Sequence, residues 1–222
     1  MPLANDTLQF LKDLAANNNR DWFNEHKPRY QAAKSDVESL ITEIEKGLSK
    51  TDELEGHKLF RIYRDVRFSK NKEPYKTSFG TYFKRAGKLR RGGYYLHLEP
   101  GNSFVGGGFW DPNPQDLKRI RDEFAADDKP MREILASKTF KKHFGTLQGD
   151  EVKTAPKGFS KDHHAIDLIR KKQFLVSRKF SDQEVLSDNF TKEVVKTFEA
   201  MRPWFDYMSD VLTTNLNGER IV

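Results

Sequence analysis

The chain has 222 residues, of which 36% are hydrophobic and 32% charged, and it contains no cysteine. The missing cysteines exclude disulfides, thiolate nucleophiles and cysteine-bound zinc or iron–sulfur clusters, and they favour a reducing cytoplasm. No apolar stretch approaches the roughly 20 residues of a membrane-spanning helix, and the amino terminus lacks the pattern of a secretory signal. We therefore predict a cytoplasmic protein without a membrane partner.

The amino-terminal part is predicted to be helical. Leu8, Leu11 and Leu14 recur at helical spacing, and either Asp6 or Thr7 is suited to cap the helix that they define. A run of three asparagines then ends this helix.

A second helical start is predicted at Asn19 or Asp21, and Pro28 is suited to the first turn of a long helix that follows. The long helix shows one apolar stripe, which predicts the side that faces the core. The stripe comprises Ala33, Val37, Leu40, Ile41, Ile44 and Leu48.

The stretch over residues 60–68 alternates apolar and mostly polar positions, a period of two that favours a half-buried strand. Its apolar members are Phe60, Ile62, Val66 and Phe68. Arg64 interrupts the apolar face, so it needs a carboxylate, backbone carbonyls or a bound anion. A helical alternative would place four residues on one face, namely Arg61, Arg64, Asp65 and Phe68.

An antiparallel meander is predicted from three further strands over Ser78–Arg85, Tyr94–Glu99 and Ser103–Phe109. The turn Pro100-Gly101-Asn102 joins the last two of them. The glycine run 106–108 weakens its strand, which indicates a bulge or a close approach of another backbone.

The second half of the chain is predicted to be mainly helical. The pattern indicates, in order, a helix after Pro114, helices over Pro130–Ala136 and Ser137–Phe144, a short helix over 163–171 capped by Asp162, and a strand over Gln173–Phe180. Ser181 and Glu184 fit a capping box, and a long last helix is kinked or restarted at Pro203. Together these elements predict one α+β domain over residues 1–222, an antiparallel sheet packed against several helices.

Positive charge is concentrated between Lys58 and Arg91. Twelve basic and two acidic residues give this window a net charge of +10, and because the whole chain carries +6, the remainder must sum to −4. A localised basic patch on a mildly acidic body is suited to steering and holding an anionic partner.

The basic window contains the sequence RIYRDVRF over residues 61–68, followed by Lys72 and Tyr75. The pattern Arg-x-x-Arg-Asp-x-Arg-Phe with a downstream lysine and tyrosine resembles the signature of a bacterial family, domain of unknown function 2461. Three other stretches are also similar to that family, namely Asn19 to Phe23, Tyr94 to Trp110 and Pro156 to Arg170. The resemblance covers nearly the whole chain, implies membership and brings no activity, cofactor or catalytic residue.

The same window supplies candidate ligand-binding residues. Arginine presents a planar fork suited to phosphate or carboxylate, lysine adds a point charge, and tyrosine or threonine hydroxyls complete an oxyanion shell. The candidates are Arg61, Arg64, Arg67, Lys72, Tyr75, Lys76 and Thr77. We predict that they bind a phosphate-bearing small molecule or another anion. The alternative is a structural salt-bridge cluster that holds no ligand.

Nucleic acid is a second candidate partner, because aromatic residues interleaved with basic ones are able to stack bases. The aromatic residues concerned are Phe68, Tyr75, Phe79, Tyr82 and Phe83. Aromatic residues at a period of two are more often sheet core, and no known RNA-binding or helix-turn-helix signature occurs.

An enzyme acting on a small anionic substrate is a further alternative, and it requires a proton-transfer group. His97 and Glu99 share one face of a predicted strand as a partial metal or proton-transfer pair, and Asp65 joins them if the strands are neighbours. His163 is another candidate, at a predicted helix start. Known phosphate-loop, catalytic serine and zinc-helix motifs are missing, so we predict no metal site and name no cofactor. The oligomeric state is left open.

Overall fold

The computed structural model describes residues 2–221. Its helices are α1 (Asn5–Ala16), α2 (Arg20–Glu25), α3 (Lys27–Leu48), α4 (Pro114–Ala126), α5 (Lys129–Ala136), α6 (Lys138–Phe144), α7 (Ile166–Ile169), α8 (Asp182–Val185), α9 (Phe190–Glu199) and α10 (Arg202–Thr213). Its strands are β1 (Leu54–Leu59), β2 (Phe79–Arg85), β3 (Gly93–Leu98), β4 (Ser103–Phe109) and β5 (Phe174–Phe180). No helix within the described residues is long and apolar enough to cross a membrane.

The five strands form one sheet in the order β1-β2-β3-β4-β5, so every strand lies beside its neighbours in the sequence. This is the predicted antiparallel meander, and with the helices it confirms the α+β class. The turn predicted between β3 and β4 is confirmed, since the backbone N–H of Asn102 donates to the carbonyl of Glu99 at 2.9 Å and Gly101 has a φ of 72°.

Internal contacts group the chain into two compact units. The first contains the residues up to Phe83 together with Tyr95–Val105 and Lys179–Lys196. The second contains Lys84–Tyr94, Gly106–Arg178 and the residues from Thr197 onward. A single domain over residues 1–222 stays a prediction.

The core of the first unit forms where α3 packs against α1 and β1. The buried residues of α3 are Ala33, Val37, Leu40, Ile41, Ile44 and Leu48, which is the predicted stripe. Pro28 lies in the first turn of α3, also as predicted. Phe23, Phe79 and Phe83 are fully buried in this unit, so aromatic rings supply much of its apolar surface.

In the second unit, β4 lies very close to Met201, the residue before α10, and to Phe174 of the neighbouring strand β5. A Cβ atom on Gly107 would lie 2.6 Å from the Met201 sulfur, and one on Gly108 would lie 2.1 Å from the carbonyl oxygen of Phe174. Only glycine allows contacts of this kind, because real Cβ atoms do not approach other heavy atoms so closely. The predicted close backbone approach at the glycine run is confirmed.

The strand and helix interpretations of residues 60–68 are both wrong. β1 ends at Leu59, and the chain then runs irregularly up to β2, with a single bridge between Tyr63 and Tyr75. Phe68, assigned to the apolar face, is 96% exposed.

Local hydrogen bonds explain why this alternating stretch does not form a strand. The carboxylate of Asp65 accepts hydrogen bonds from the backbone N–H and the guanidinium of Arg67. Asn71 accepts from the backbone N–H of Glu73 in the same way, at 2.9 Å. Such turns by aspartate and asparagine compete with strand pairing, so they outweigh the apolar alternation here.

Other errors concern β1 and one helix cap. β1 was not predicted, because its sequence LEGHKL is mostly polar and its pattern carries little strand signal. The cap predicted for α1 at Asp6 or Thr7 is wrong, since Ala4 precedes the helix without a side-chain cap. Thr7 instead donates to the carboxylate of Asp36 at 2.6 Å, which links α1 to α3.

The remaining helix starts give mixed results. α7 begins at Ile166, so Asp162 is not its cap. Asn19 caps α2 by accepting from the N–H of Trp22, as predicted, and the capping box of Ser181 and Glu184 is present at α8. A separate α10 confirms the predicted restart at Pro203.

Candidate functional site

Tyr75 is the best-fixed residue of the irregular segment between β1 and β2. Its ring stacks on Phe23 of α2, with centroids 3.9 Å apart and planes inclined by 13°. Its backbone N–H donates to the side-chain oxygen of Asn18 at 3.2 Å, and its carbonyl accepts from the Asn18 amide nitrogen at 3.0 Å. The Arg64 guanidinium donates to the same carbonyl at 2.8 Å. The segment is thus tied to the loop before α2.

A cavity of about 320 Å³ opens beside this anchor, within the first unit. Its lining combines two arginines, an asparagine, two tyrosines and two apolar residues: Arg20, Arg64, Asn24, Tyr63, Tyr75, Val66 and Pro74. Arginine, asparagine and tyrosine all carry hydrogen-bond donors, and none of the lining side chains is a carboxylate. The lining therefore suits an anionic ligand.

The two arginines of the lining differ in their contacts. Arg64 is partly engaged, because it donates to the Tyr75 carbonyl and lies 3.9 Å from a carboxylate oxygen of Glu73. Its side chain is 29% exposed. Arg20 is exposed, and its guanidinium forms no hydrogen bond or ion pair with any residue between 2 and 221. Arg20 is therefore the group most available to a ligand.

The two tyrosines bring hydroxyl groups to the cavity. Tyr75 is only 4% exposed, and burial is the main reason why the pKa of its hydroxyl is raised, with the neighbouring Tyr63 adding to the effect. The charge of Arg20 acts in the opposite direction on the same hydroxyl. Neither hydroxyl has a hydrogen-bond partner in the described part of the chain. Both hydroxyls can therefore donate a hydrogen bond to a ligand.

The cationic surroundings extend beyond the lining. Lys76 has a lowered pKa, first because it is partly buried and then because Arg61 and Arg64 repel its charge. Neither Lys76 nor Arg61 forms an ion pair with another described residue. Cations that destabilise one another in this way would be stabilised by a bound anion.

A comparison of sequences shows the family of this chain. The profile of a family described as "Conserved hypothetical protein (DUF2461)" matches residues 6–207. The chain belongs to this family. The match confirms the family resemblance and spans every residue that lines the cavity. Searches of the curated proteins and of the solved structures give no match.

In this DUF2461 protein, the cavity takes in only part of the predicted ligand-binding set. Arg64 and Tyr75 line it, and Arg61 and Lys76 contribute charge nearby. The other three members have protein partners: Arg67 pairs with Asp65 at 2.6 Å, Lys72 donates to the carbonyl of Val66 at 3.1 Å, and Thr77 donates to Glu99 at 2.9 Å.

The predicted ligand-binding set lacks five residues of the lining, of which three have polar side chains: Arg20, Asn24 and Tyr63. Arg20 and Asn24 are four residues apart on α2, so they share one face of that helix. The resemblance at Asn19 to Phe23 was a signal for this region of the DUF2461 chain. An isolated β-bridge brings Tyr63 to Tyr75, and no pattern in the sequence predicts this bridge.

Asp65 is not placed beside the other proton-transfer candidates. Its hydrogen bonds with Arg67 lower its pKa, and no hydrogen bond or ion pair joins it to His97 or Glu99 within residues 2–221. The reason is that Asp65 lies in the irregular segment rather than in a strand. A carboxylate held ionised by an arginine is a weak proton acceptor.

His97 and Glu99 do lie on one strand face, as predicted, with Nε2 and the carboxylate 3.2 Å apart. The other ring nitrogen of His97 lies 3.2 Å from the Tyr95 hydroxyl. Burial tends to raise the pKa of Glu99, but hydrogen bonds from Asn102, Thr77 and His97 outweigh it, so the pKa is lowered. This polar chain is ordered, but its members do not line the cavity.

His163 lies in the second unit, where its Nδ1 accepts from the backbone N–H of Ala165 at 3.1 Å and its ring stacks on His164. No group of three or more histidine, cysteine or acidic side chains suited to a metal ion occurs among the described residues.

Proposed function

We propose that this DUF2461 protein binds a small phosphate-bearing ligand in the cavity of the first unit. The observation that carries the proposal is the composition of the lining, which has two guanidinium groups, two phenols and an amide, without a carboxylate. Arginine forks form paired, charge-assisted hydrogen bonds with phosphate oxygens, and tyrosine and asparagine supply neutral donors.

The size of the cavity favours a small molecule over a polymer in this site. Small-molecule sites usually enclose roughly 300–1,000 Å³. At about 320 Å³, the cavity lies at the lower end of that range. A phosphate monoester or a mononucleotide phosphate group fits such a volume. We place this binding in the reducing cytoplasm that the missing cysteines favour.

The lining supports binding more than catalysis. General acid–base chemistry at neutral pH usually needs a histidine or carboxylate within hydrogen-bond reach of the ligand. Asp65, His97, Glu99 and His163 are all absent from the lining. An enzymatic role would therefore have to use a tyrosine or a group supplied by the ligand.

The purely structural alternative accounts for some of the basic residues. Arg67 and Lys72 are satisfied by protein partners, as a salt-bridge cluster requires. Arg20 has no ion pair or hydrogen bond from its guanidinium within residues 2–221, so a salt-bridge cluster does not account for its place in the lining.

Calorimetric titration and thermal unfolding with inorganic phosphate, pyrophosphate and adenosine monophosphate test the proposal, with malonate as a carboxylate probe. At least one phosphate probe should bind and raise the melting temperature by mass action. Arg20→Gln should weaken that binding about tenfold or more, because it removes a charge-assisted donor.

The matched control is Arg67→Gln, which removes an arginine that pairs with Asp65 and does not line the cavity. It should leave binding unchanged. Failure of all three phosphate probes, or equal binding by Arg20→Gln and the wild type, would overturn the proposal. Preference for malonate over phosphate would reassign the site to carboxylates.

A further inference from the structure

A group of half-buried aromatic residues lies on one face of the sheet in the first unit, and none of them lines the cavity. Along β3, Leu96 and Leu98 are buried, whereas the alternate residues Tyr95 and His97 are only half-buried. Alternate residues of a strand point to opposite faces, so Tyr95 and His97 lie on the face away from these leucines. Phe104 of β4, also half-buried, contacts both of them.

Four rings form a continuous surface, which we call the aromatic strip: Phe60, Tyr95, His97 and Phe104. The centroid of Tyr95 lies 6.4 Å from that of Phe60 and 5.8 Å from that of Phe104. Phe104 and His97 stack at 4.8 Å with an interplanar angle of 22°. Phe60 is 36% exposed. The strip therefore offers adjacent ring surfaces that are partly open to solvent.

A glycine on the neighbouring strand makes room for the strip. A Cβ atom on Gly80 of β2 would lie 2.5 Å from the Tyr95 hydroxyl oxygen. The Tyr95 side chain therefore lies across β2, in the space that any other residue at position 80 would fill. Its hydroxyl is held near Nδ1 of His97 at 3.2 Å, which fixes the ring in this orientation.

The Phe60 end of the strip is cationic. The ammonium groups of Lys58 and Lys76 each lie 5.7 Å from the centre of the Phe60 ring. Neither lysine has an ion-pair partner in the part of the chain that the structure describes. Both ammonium groups lie over the Phe60 ring in cation–π contact. Partly exposed aromatic rings next to cations without an ion-pair partner match a ligand that combines planar rings with negative charges.

We infer that the aromatic strip binds single-stranded nucleic acid, with bases stacked on Phe60, Tyr95 and Phe104 and backbone phosphates paired with Lys58 and Lys76. Stacking on aromatic side chains needs unstacked bases, and a duplex does not offer them. The lysines supply the electrostatic attraction to the backbone phosphates, which does not depend on the base sequence. None of the strip residues lines the cavity, and Lys76 lies near both sites.

Fluorescence anisotropy with labelled twelve-nucleotide oligouridylate and oligothymidylate tests the inference, with a duplex of the same length as competitor. Single strands should bind and the duplex should bind much more weakly. Phe60→Leu and Phe104→Leu should each weaken binding about tenfold, because each removes one stacking ring. Tyr95→Phe keeps the ring and should bind nearly as well as the wild type.

Two matched controls separate stacking from general effects. Phe68→Leu alters a phenylalanine that is 96% exposed and has no ring contact with the strip, so binding should not change. Lys58→Gln should reduce the slope of log affinity against log salt by about 0.7, the value for one phosphate contact on a single strand.

Arg20→Gln distinguishes the two sites, since it should weaken small-phosphate binding about tenfold or more and leave oligonucleotide binding intact. The inference is overturned if neither oligonucleotide binds, if the duplex competes equally, or if Phe60→Leu and Phe104→Leu bind like the wild type while remaining folded. A difference between the two oligonucleotides would only assign the strip to RNA or DNA.

Discussion

The side chain of Asn18 forms hydrogen bonds with both backbone polar groups of Tyr75, at 3.2 Å to the N–H and 3.0 Å to the carbonyl. Fifty-seven positions separate the two residues in the sequence. This amide therefore closes a large loop and holds the tyrosine at the wall of the cavity, next to the Arg64 guanidinium that shares the same carbonyl.

The first prediction concerns this anchor. Asn18→Ala removes two partly buried hydrogen bonds, so the free energy of unfolding should fall by about 1–3 kcal/mol. Binding of the cavity ligand should weaken as well, because Tyr75 loses its fixed position. Urea unfolding followed by calorimetric titration measures both effects. Asn17→Ala is the control, since Asn17 makes only an exposed hydrogen bond to the Asp13 carbonyl; an equal loss in both variants would contradict the anchor.

Lys76 leads to the second prediction. Its lowered pKa reflects burial and repulsion from Arg61 and Arg64. Replacing it with an uncharged residue of similar shape, Lys76→Met, should therefore leave the melting temperature unchanged or raise it in dilute buffer. The difference should shrink in about 0.5 M salt, where exposed charges are screened.

Lys72→Met is the matched variant, because the Lys72 ammonium donates to the Val66 carbonyl. It should be neutral or slightly destabilising under the same conditions. Thermal unfolding of both variants at two salt concentrations compares them. A clear loss of stability in Lys76→Met would show that the contact of Lys76 with the Phe60 ring outweighs the repulsion from Arg61 and Arg64.

The third prediction compares two arginines. Arg85 is buried, with 1% of its side chain exposed, and it pairs with Asp206 at 2.6 Å and donates to the Arg91 carbonyl. Arg85→Ala should cost about 2–5 kcal/mol, because it empties the space of a fully buried side chain and removes its hydrogen bonds, although Asp206 itself is 52% exposed. Arg64→Ala should cost only about 1–2 kcal/mol, because Arg64 is half-exposed with one strong hydrogen bond. Chemical denaturation of both variants measures the difference, and equal losses would contradict it.

Those two arginines also show what the sequence could and could not predict. The rule that an arginine on a buried face needs a partner is correct. The apolar alternation over residues 60–68, however, predicted Arg64 to be that arginine. The fully buried arginine is Arg85, at the end of a correctly predicted strand. Its partner Asp206 lies 121 positions away on α10, and no local pattern links the two.

Elements with a regular period were predictable and irregular ones were not. The stripe of α3, the strands β2 to β5 and the glycine run follow from periodicity and from backbone sterics. The segment after β1 failed because short-range hydrogen bonds from Asp65 and Asn71 decide its shape. The cavity depends on that segment, so its lining could be predicted only in part.

The fourth prediction tests the glycine run. Gly108→Ala should destabilise the protein by about 3 kcal/mol or more, because the new Cβ would meet the Phe174 carbonyl and the φ of 139° is unfavourable for alanine. Gly101→Ala is the control, since its φ of 72° is also positive but nothing lies within 4 Å of a Cβ there. It should cost only about 1 kcal/mol, the backbone effect alone. Similar losses in the two variants would show that packing adds nothing at Gly108.

The fifth prediction concerns acid stability and Glu99. Its folded-state pKa lies below the usual value because donors from Asn102, Thr77 and His97 outweigh the effect of burial. A carboxylate with a lowered folded pKa contributes stability that is complete above its unfolded pKa of about 4.3 and is lost as the pH falls through the folded pKa. Glu99→Gln removes this titration, so below about pH 4.3 the free energy of unfolding should fall less steeply with decreasing pH than in the wild type.

Urea unfolding between pH 3 and pH 7 measures the slopes, and Glu43→Gln serves as the control. Glu43 is exposed on α3 and its side chain has no hydrogen-bond partner among residues 2–221, so Glu43→Gln controls for the exchange of a carboxylate for an amide. At neutral pH, Glu99→Gln should also be less stable than the wild type, because a neutral amide accepts weaker hydrogen bonds from Thr77 and Asn102. Identical slopes for Glu99→Gln and the wild type would mean that these donors do not stabilise the ionised carboxylate.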